Sequence, residues 1–162
     1  MAELTNLETK LGEVIGLAMA AQAATERVEK LTKDAKLKKQ LKTMRQEAAK
    51  AEKDGTAVAA TINGKKSKIL AEARTVKTKG ATMMKTYLER DSDDLDGFEF
   101  LTMAEAGEVG HWSVLQQLNK QARHPGVQKL VNTHLPIQKR HLKEVMAASL
   151  ELAAKEDANA EA

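Results

Sequence analysis

Apolar or small residues recur every three or four positions over long stretches of this sequence, and proline is absent before residue 125. The first such stripe consists of Leu7, Leu11, Val14, Ala18, Ala21, Thr25 and Val28. This spacing places one buried face along an α-helix. Val and Ile are scattered and do not alternate with polar residues as they do in strands. The pattern therefore predicts an all-α protein.

Four long helices and one helical connection follow from the periodicity and the turn signals. The four predicted helices cover residues 4–31, 34–62, 94–123 and 126–155. Only two residues separate the first two helices, which predicts antiparallel neighbours. The acidic stretch 91–96 provides capping side chains for the third helix. Pro136 removes an amide donor from the fourth helix, where we expect a bend.

Residues 65–90 form a basic connection with helical propensity and an expected break at Gly80. A helix of this length spans roughly 39 Å, at about 1.5 Å per residue. It can therefore return the chain along the outside, from one end of a bundle to the other. We expect one domain, residues 1–155, folded as a four-helix bundle with a long helical crossover between its second and third helices. A frayed polar tail, residues 156–162, follows it.

Several classes of protein are disfavoured by the composition. Cysteine is absent, which excludes a disulfide framework and a thiolate metal site. No stretch of about 18 apolar residues predicts a transmembrane helix. The first residues lack the basic and apolar regions of a secretory signal. We therefore expect a cytoplasmic protein that does not enter a membrane.

Charge is distributed unevenly along the chain. Residues 33–90 contain 16 Lys or Arg and 6 Asp or Glu, although the net charge of the whole chain is only +3. Such a basic region can bind phosphate-bearing partners. It contains a single aromatic residue, Tyr87, and no arginine cluster. We therefore expect a solvated lysine-rich surface rather than a nucleic-acid site.

The helical stripes of the last two helices contain polar residues at core positions. Glu108 and His111 are three residues apart between Leu101 and Leu115, and His134, Gln138 and His141 follow one another on the fourth helix. Burying an isolated carboxylate is costly, so it must be paired, protonated or bound to a metal. Glu at i and His at i+3 share one helix face and can converge on one ion. Carboxylate and imidazole together suit iron, manganese or zinc.

Two segments carry a resemblance to a known group of proteins. "EAGEVGHW" at residues 105–112 and "LPIQKRHLKEV" at residues 135–145 resemble the last two helices of bacterial ferritin-like proteins, which include rubrerythrin relatives. The resemblance implies a ferritin-like four-helix bundle with a metal site between facing helices, holding iron or manganese. By this analogy the metal ligands are Glu108, His111, Gln138, His141 and, from the second helix, Glu47. The first helix would offer Gln22 or Glu26.

The sequence also departs from the family pattern. Gln138 stands where the second Glu-x-x-His pair would have a glutamate, and a neutral amide is a poor bridge between two metal ions. Lys50 follows Glu47 by three residues and, if it faced inward, its ammonium would neutralise Glu108 without any metal. A single-metal site and a metal-free hydrogen-bonded core therefore stay open as alternatives.

Three functions follow from these alternatives. The first is a ferritin-like protein that carries out iron or manganese redox chemistry or storage, with enzymatic turnover left open. The second is a structural or interaction bundle with a vestigial site, and the third is a weak binder of nucleic acid or acidic surfaces. We expect a homo-oligomer. We interpret His134 as a satisfied interior histidine or a helix-bend residue, and Trp112 as a packing residue or a contact at the edge of the bundle.

Overall fold

The computed structural model describes residues 3–161, which form five α-helices and no strand. The helices are α1 (Asn6–Leu31), α2 (Ala35–Thr61), α3 (Lys66–Tyr87), α4 (Asp94–Ala122) and α5 (Pro125–Ala153). The predicted all-α class is therefore confirmed for the described part of the chain. Residues 1, 2 and 162, at the ends of the predicted domain and tail, lie outside it.

Side-chain caps explain where several helices begin. Thr5 and Glu8 form a capping box at α1, and Asp93 and Asp96 form another at α4. The acidic stretch 91–96 therefore caps a helix, as predicted. α5 begins at Pro125, one residue earlier than predicted, because proline lacks only an amide that the first turn leaves unbonded.

The expected break at Gly80 is wrong, because α3 continues through this residue. A Cβ atom at Gly80 would lie 2.7 Å from the Cβ of Ala20 on α1. This glycine thus serves a close approach between two helices, and its cost in helix propensity is offset by packing. α5 runs through Pro136 to Ala153, two residues short of the predicted end, and the bend at Pro136 stays a prediction.

The helices other than α3 form two antiparallel pairs, α1 with α2 and α4 with α5. α1 also packs against α4, and α2 against α5. The antiparallel direction of the first pair is shown by two contacts, Arg45 with Glu29 and Gly55 with Ile15. α3 lies on α1 and barely touches α4. Its buried side chains are those of Ile69 and Ala73.

Small residues of α1 allow α3 to pack closely against it. A Cβ atom at Gly12 would lie 2.7 Å from the carbonyl oxygen of Ile69, and one at Gly16 would lie 2.3 Å from that of Ala73. Both distances are shorter than a side chain tolerates, so glycine is required by the helix spacing. The two helices run parallel, since contacts advance along both chains in the same order.

Two apolar clusters fill the interior, one toward each end of the bundle. The first contains Trp112, Leu115 and Leu135, and the second contains Phe98, Leu101 and Val145. Between them, α4 and α5 bury a layer of polar side chains instead of apolar ones. This polar layer is formed by Glu105, Glu108, Gln138 and His141, and burying such groups is costly unless they are paired.

Within residues 3–161, no helix is both long and apolar enough to cross a membrane.

Candidate functional site

The polar layer lies deep inside the molecule. Glu105 and Glu108 of α4 are 2% and 3% exposed, while Gln138 and His141 of α5 are 1% and 2% exposed. Each pair is three residues apart on its helix, so each pair shares one helix face. The antiparallel packing of α4 on α5 brings the two faces together.

Gln138 connects the two carboxylates of α4. With its amide group turned toward them, its nitrogen donates hydrogen bonds to Glu105 Oε2 at 2.9 Å and to Glu108 Oε2 at 3.2 Å. An amide carries no charge. Gln138 therefore satisfies hydrogen-bonding capacity in the layer but does not neutralise either carboxylate.

His141 lies between carboxylates of two different helices. Its Nε2 atom is 3.3 Å from Glu47 Oε1 on α2, and its Nδ1 atom is 3.7 Å from Glu105 Oε2 on α4. Burial lowers the pKa of His141, but the hydrogen bonds and charges of Glu105 and Glu47 outweigh this effect and raise it overall. The surroundings thus favour the imidazolium form.

Glu47 lies at the rim of the layer, where it also pairs with Arg140. Burial raises the pKa of Glu47, but hydrogen bonds from Arg140 and His141 lower it overall. Arg140 further contacts Glu144 on its own helix. A chain of charged contacts therefore runs from the surface arginine through Glu47 and His141 to the buried Glu105.

Glu108 has no cationic partner among the described residues. Burial raises its pKa well above the ordinary value, and the negative charge of Glu105 raises it further. The carboxyl group therefore favours its neutral form unless a cation comes close. Neither of its neighbours in the layer, Glu105 and Gln138, carries a positive charge.

The structure does not bring His111 into the polar layer. Its side chain is 42% exposed, and its Nδ1 atom lies 3.0 Å from Glu13 Oε2 and 3.1 Å from Lys10 Nζ on α1. At about 3.6 residues per turn, Glu105 and His111 lie roughly 60° to either side of Glu108. The Glu105 side faces α5 and the His111 side faces α1, so tertiary packing selects Glu105.

The alternative that Lys50 neutralises Glu108 is wrong. The Lys50 side chain is 60% exposed and pairs with Asp54 at 2.5 Å, one turn further along α2. Lys50 therefore lies on the outer side of the helix. Of the first-helix candidates, Gln22 bonds to Glu52 at 2.5 Å and the exposed Glu26 pairs with Lys30, so neither reaches the layer.

His134 is buried at a separate position on α5, about two helical turns before His141. Its Nε2 atom bonds to Asp54 Oδ2 at 2.9 Å, and its ring lies 5.6 Å from that of Trp112. Trp112 is itself buried in the first apolar cluster. Both residues therefore contribute to packing, in agreement with the interpretation of the sequence.

A cavity of about 200 Å³ opens next to the polar layer, between α1, α3 and α4. Alanine, leucine, methionine and phenylalanine side chains and two glycines form most of its wall, and Glu105, Glu108 and His111 also line it. The carboxylates of α4 thus face both the layer and this cavity.

Sequence reasoning did not select Glu105 as a site residue, although it sits at a core position. The spacing from Leu101 through Glu105, Glu108 and Trp112 to Leu115 alternates by four and three. This alternation is the signal that would have identified it. The i, i+3 Glu-His motif drew the prediction to His111 instead.

Within residues 3–161, no group of three or more His, Asp or Glu side chains is arranged so that it could hold a metal ion. The chain matches no protein-family model, no curated protein and no solved structure. The argument for function therefore depends on the geometry of the polar layer.

Proposed function

We propose that this protein is a ferritin-like helical bundle whose polar layer binds one divalent metal ion, iron or manganese. One observation carries the proposal: Glu105 and Glu108 are buried side by side, with a neutral amide as their shared contact. Two buried carboxylates need a proton or a cation to offset their repulsion and loss of hydration. A metal ion meets this need with the donor types present.

The donor set fits the proposed metals in kind. Glu105, Glu108 and His141 offer carboxylate oxygens and one imidazole nitrogen, and Glu47 adds a carboxylate at the rim. Such mixed oxygen and nitrogen donors suit iron and manganese. When bound, an ion of this kind would supply redox chemistry or storage. His141, whose surroundings favour the imidazolium form, would have to release a proton to solvent, and the side chains would have to exchange hydrogen bonds with one another for bonds to the ion.

The helix arrangement supports the ferritin-like part of the proposal. Two antiparallel pairs pack side by side, and the helix that connects them lies outside on α1. This is the arrangement that a four-helix bundle with one long crossover has.

Metal content per chain, measured on protein purified without an affinity-tag metal step, tests the proposal. We expect close to one iron or manganese ion per chain. Chelation should lower the melting temperature by roughly 5 to 10 °C, since an ion at about 100 times its dissociation constant adds about 2.7 kcal/mol.

Three variants locate the site. Glu108→Gln should abolish the response to chelator, whereas the exposed Glu99→Gln on the same helix should keep it. His111→Ala should also keep it, because His111 faces α1. Loss of the ion in His111→Ala would instead favour the Glu-x-x-His pair. The proposal would be overturned if the purified protein contained no metal and its melting temperature changed neither with chelator nor with added iron.

A structural or interaction bundle is the second candidate. The observation in its favour is the pairing of His141, whose two ring nitrogens both face carboxylates. A proton on Glu108 would complete a layer that needs no metal. In that case the melting temperature stays unchanged on chelation, and the layer contributes to the specificity of helix pairing.

A further inference from the structure

The cavity beside the polar layer lies where α3 packs against α1 and makes few contacts with α4. Gly80 of α3 lies against Ala20 of α1 at a distance that no larger side chain permits. α3 barely touches α4, so a gap remains between them over the surface of α1. Met83 and Met103 stand on either side of this gap and are exposed.

The wall of the cavity is apolar except for Glu105, Glu108 and His111. Alanines of α1, Met83 of α3 and Phe100 of α4 form much of the wall. Of these three, Glu105 and Glu108 bring carboxyl groups to the wall, and both side chains are buried. An apolar chamber with anionic groups at one place is complementary to a molecule with an apolar body and a cationic end.

Glu108 can accept a further hydrogen bond from such a ligand. Its side chain is more than nine-tenths buried, and its Oε2 atom accepts the hydrogen bond of Gln138. No hydrogen bond within residues 3–161 reaches its Oε1 atom. Since Glu108 lines the cavity, this oxygen can accept a hydrogen bond from a ligand there, and an ammonium group provides three donors together with the opposite charge.

We propose that this cavity binds a small primary ammonium compound with an apolar body of about six carbon atoms, held by its charged end at Glu105 and Glu108. The size follows from the volume of about 200 Å³, since an apolar cavity of about 150 Å³ accommodates benzene. The carboxylates form charge-assisted hydrogen bonds with the ammonium group. The inference does not rest on the proposed metal, although both ligands would compete for the same carboxylates.

Titration calorimetry of chelator-treated protein at neutral pH tests the inference, so that it succeeds or fails independently of the metal. The probes are hexylammonium, hexanol and hexanoate, which share one apolar chain and differ at the polar end. We expect hexylammonium to bind about tenfold more tightly than hexanol, as a charge-assisted hydrogen bond provides. Hexanoate should not bind, because like charges repel. Equal affinity for hexylammonium and hexanol, or no binding of hexylammonium, would overturn the proposal.

Two pairs of variants place the ligand. Glu108→Gln should reduce the preference for hexylammonium over hexanol to about twofold or less, while Glu99→Gln should keep it. A Cβ atom at Gly107 or at Gly110 meets no atom within 4 Å, but only Gly107 lines the cavity. Gly107→Leu should therefore weaken both probes at least about tenfold by filling the cavity, and Gly110→Leu should not. Unchanged binding in Gly107→Leu would contradict this location.

Discussion

At Glu108, burial and a neighbouring charge act on the pKa in the same direction. Loss of hydration raises it, and the Glu105 carboxylate raises it further. His141 differs, because burial lowers its pKa while Glu105 and Glu47 raise it by more. Two ionisable groups in one layer thus respond to pH for different physical reasons, and a substitution at one of them separates their effects.

Replacing Glu108 with Gln should remove a pH-dependent loss of stability in metal-free protein. Above the ordinary value of 4.5, the folded protein holds a proton on Glu108 that the unfolded chain has released. Stability therefore falls as pH rises from this value toward the raised pKa. We expect Glu108→Gln to exceed the wild type at pH 8 by at least about 1 kcal/mol in free energy of unfolding.

Urea unfolding at pH 4 and pH 8 measures the difference. The contribution of His141 is fully present below its ordinary pKa of 6.5 and is lost as pH rises through the raised value. Glu108 is not among the groups that raise this pKa, so the contribution cancels between the two proteins. Glu99→Gln, an exposed substitution on the same helix, is the control and should follow the wild type at both pH values. The account of Glu108 fails if the pH dependence of the variant equals that of the wild type.

The position of α3 depends on small side chains of α1. This helix buries only Ile69 and Ala73 among its own residues, and it sits on Gly12 and Gly16 of α1. Glycine in a helix interior costs about 1 kcal/mol relative to alanine. The molecule bears this cost because a wider spacing would separate α3 from the surface that covers it.

A single methyl group at Gly16 should displace α3. The Cβ atom would lie 2.3 Å from the carbonyl oxygen of Ala73, which is backbone and has little freedom to move. We expect Gly16→Ala to destabilise by about 1 to 3 kcal/mol despite its better helix propensity. Gly110→Ala on α4, whose Cβ meets open space, should instead stabilise by about 0.5 to 1 kcal/mol.

Chemical unfolding of the two alanine variants gives the comparison, and protease sensitivity of residues 65–90 shows whether α3 has moved. Equal stabilisation in both variants would mean that α3 does not pack on α1 at this spacing.

At the scale of the whole molecule, the structure shows which partners the charged and aromatic residues of the basic region 33–90 have. Several of its cations are paired with acidic groups, among them Arg45 with Glu29 and Lys65 with Glu8. Tyr87, its single aromatic residue, stacks on Phe100. The region thus offers charge without a row of free aromatic rings for bases to stack on.

We therefore expect weak binding of DNA that depends strongly on salt. Affinity should fall steeply between about 50 and 200 mM salt, because each phosphate contact releases counterions. At roughly 150 mM salt binding should be absent in a fluorescence anisotropy titration. Sub-micromolar affinity under that condition would show that these helices form a nucleic-acid site after all.

The expected homo-oligomer stays a prediction, which the same sample tests by light scattering.

The sequence by itself determined the helices and most of their buried faces. The stripe from Leu11 to Val28 is buried as predicted, because a period of 3.6 residues leaves few choices for the inward face. The caps at residues 93–96 and the burial of Glu108, Gln138 and His141 follow from the same local rules. These properties depend on residues near each other in the chain.

Only the tertiary structure decided which polar groups meet. Glu105 and His111 are equally close to Glu108 on the helix. Glu105 contacts His141 of α5, whereas His111 contacts Glu13 of α1. Lys50 faces outward because α2 rotates its Leu41 and Ala48 stripe into the core. The cavity, likewise, arises from how far α3 stands from α4. Rotation and spacing between helices depend on contacts distant in sequence, so periodicity along one helix does not contain them.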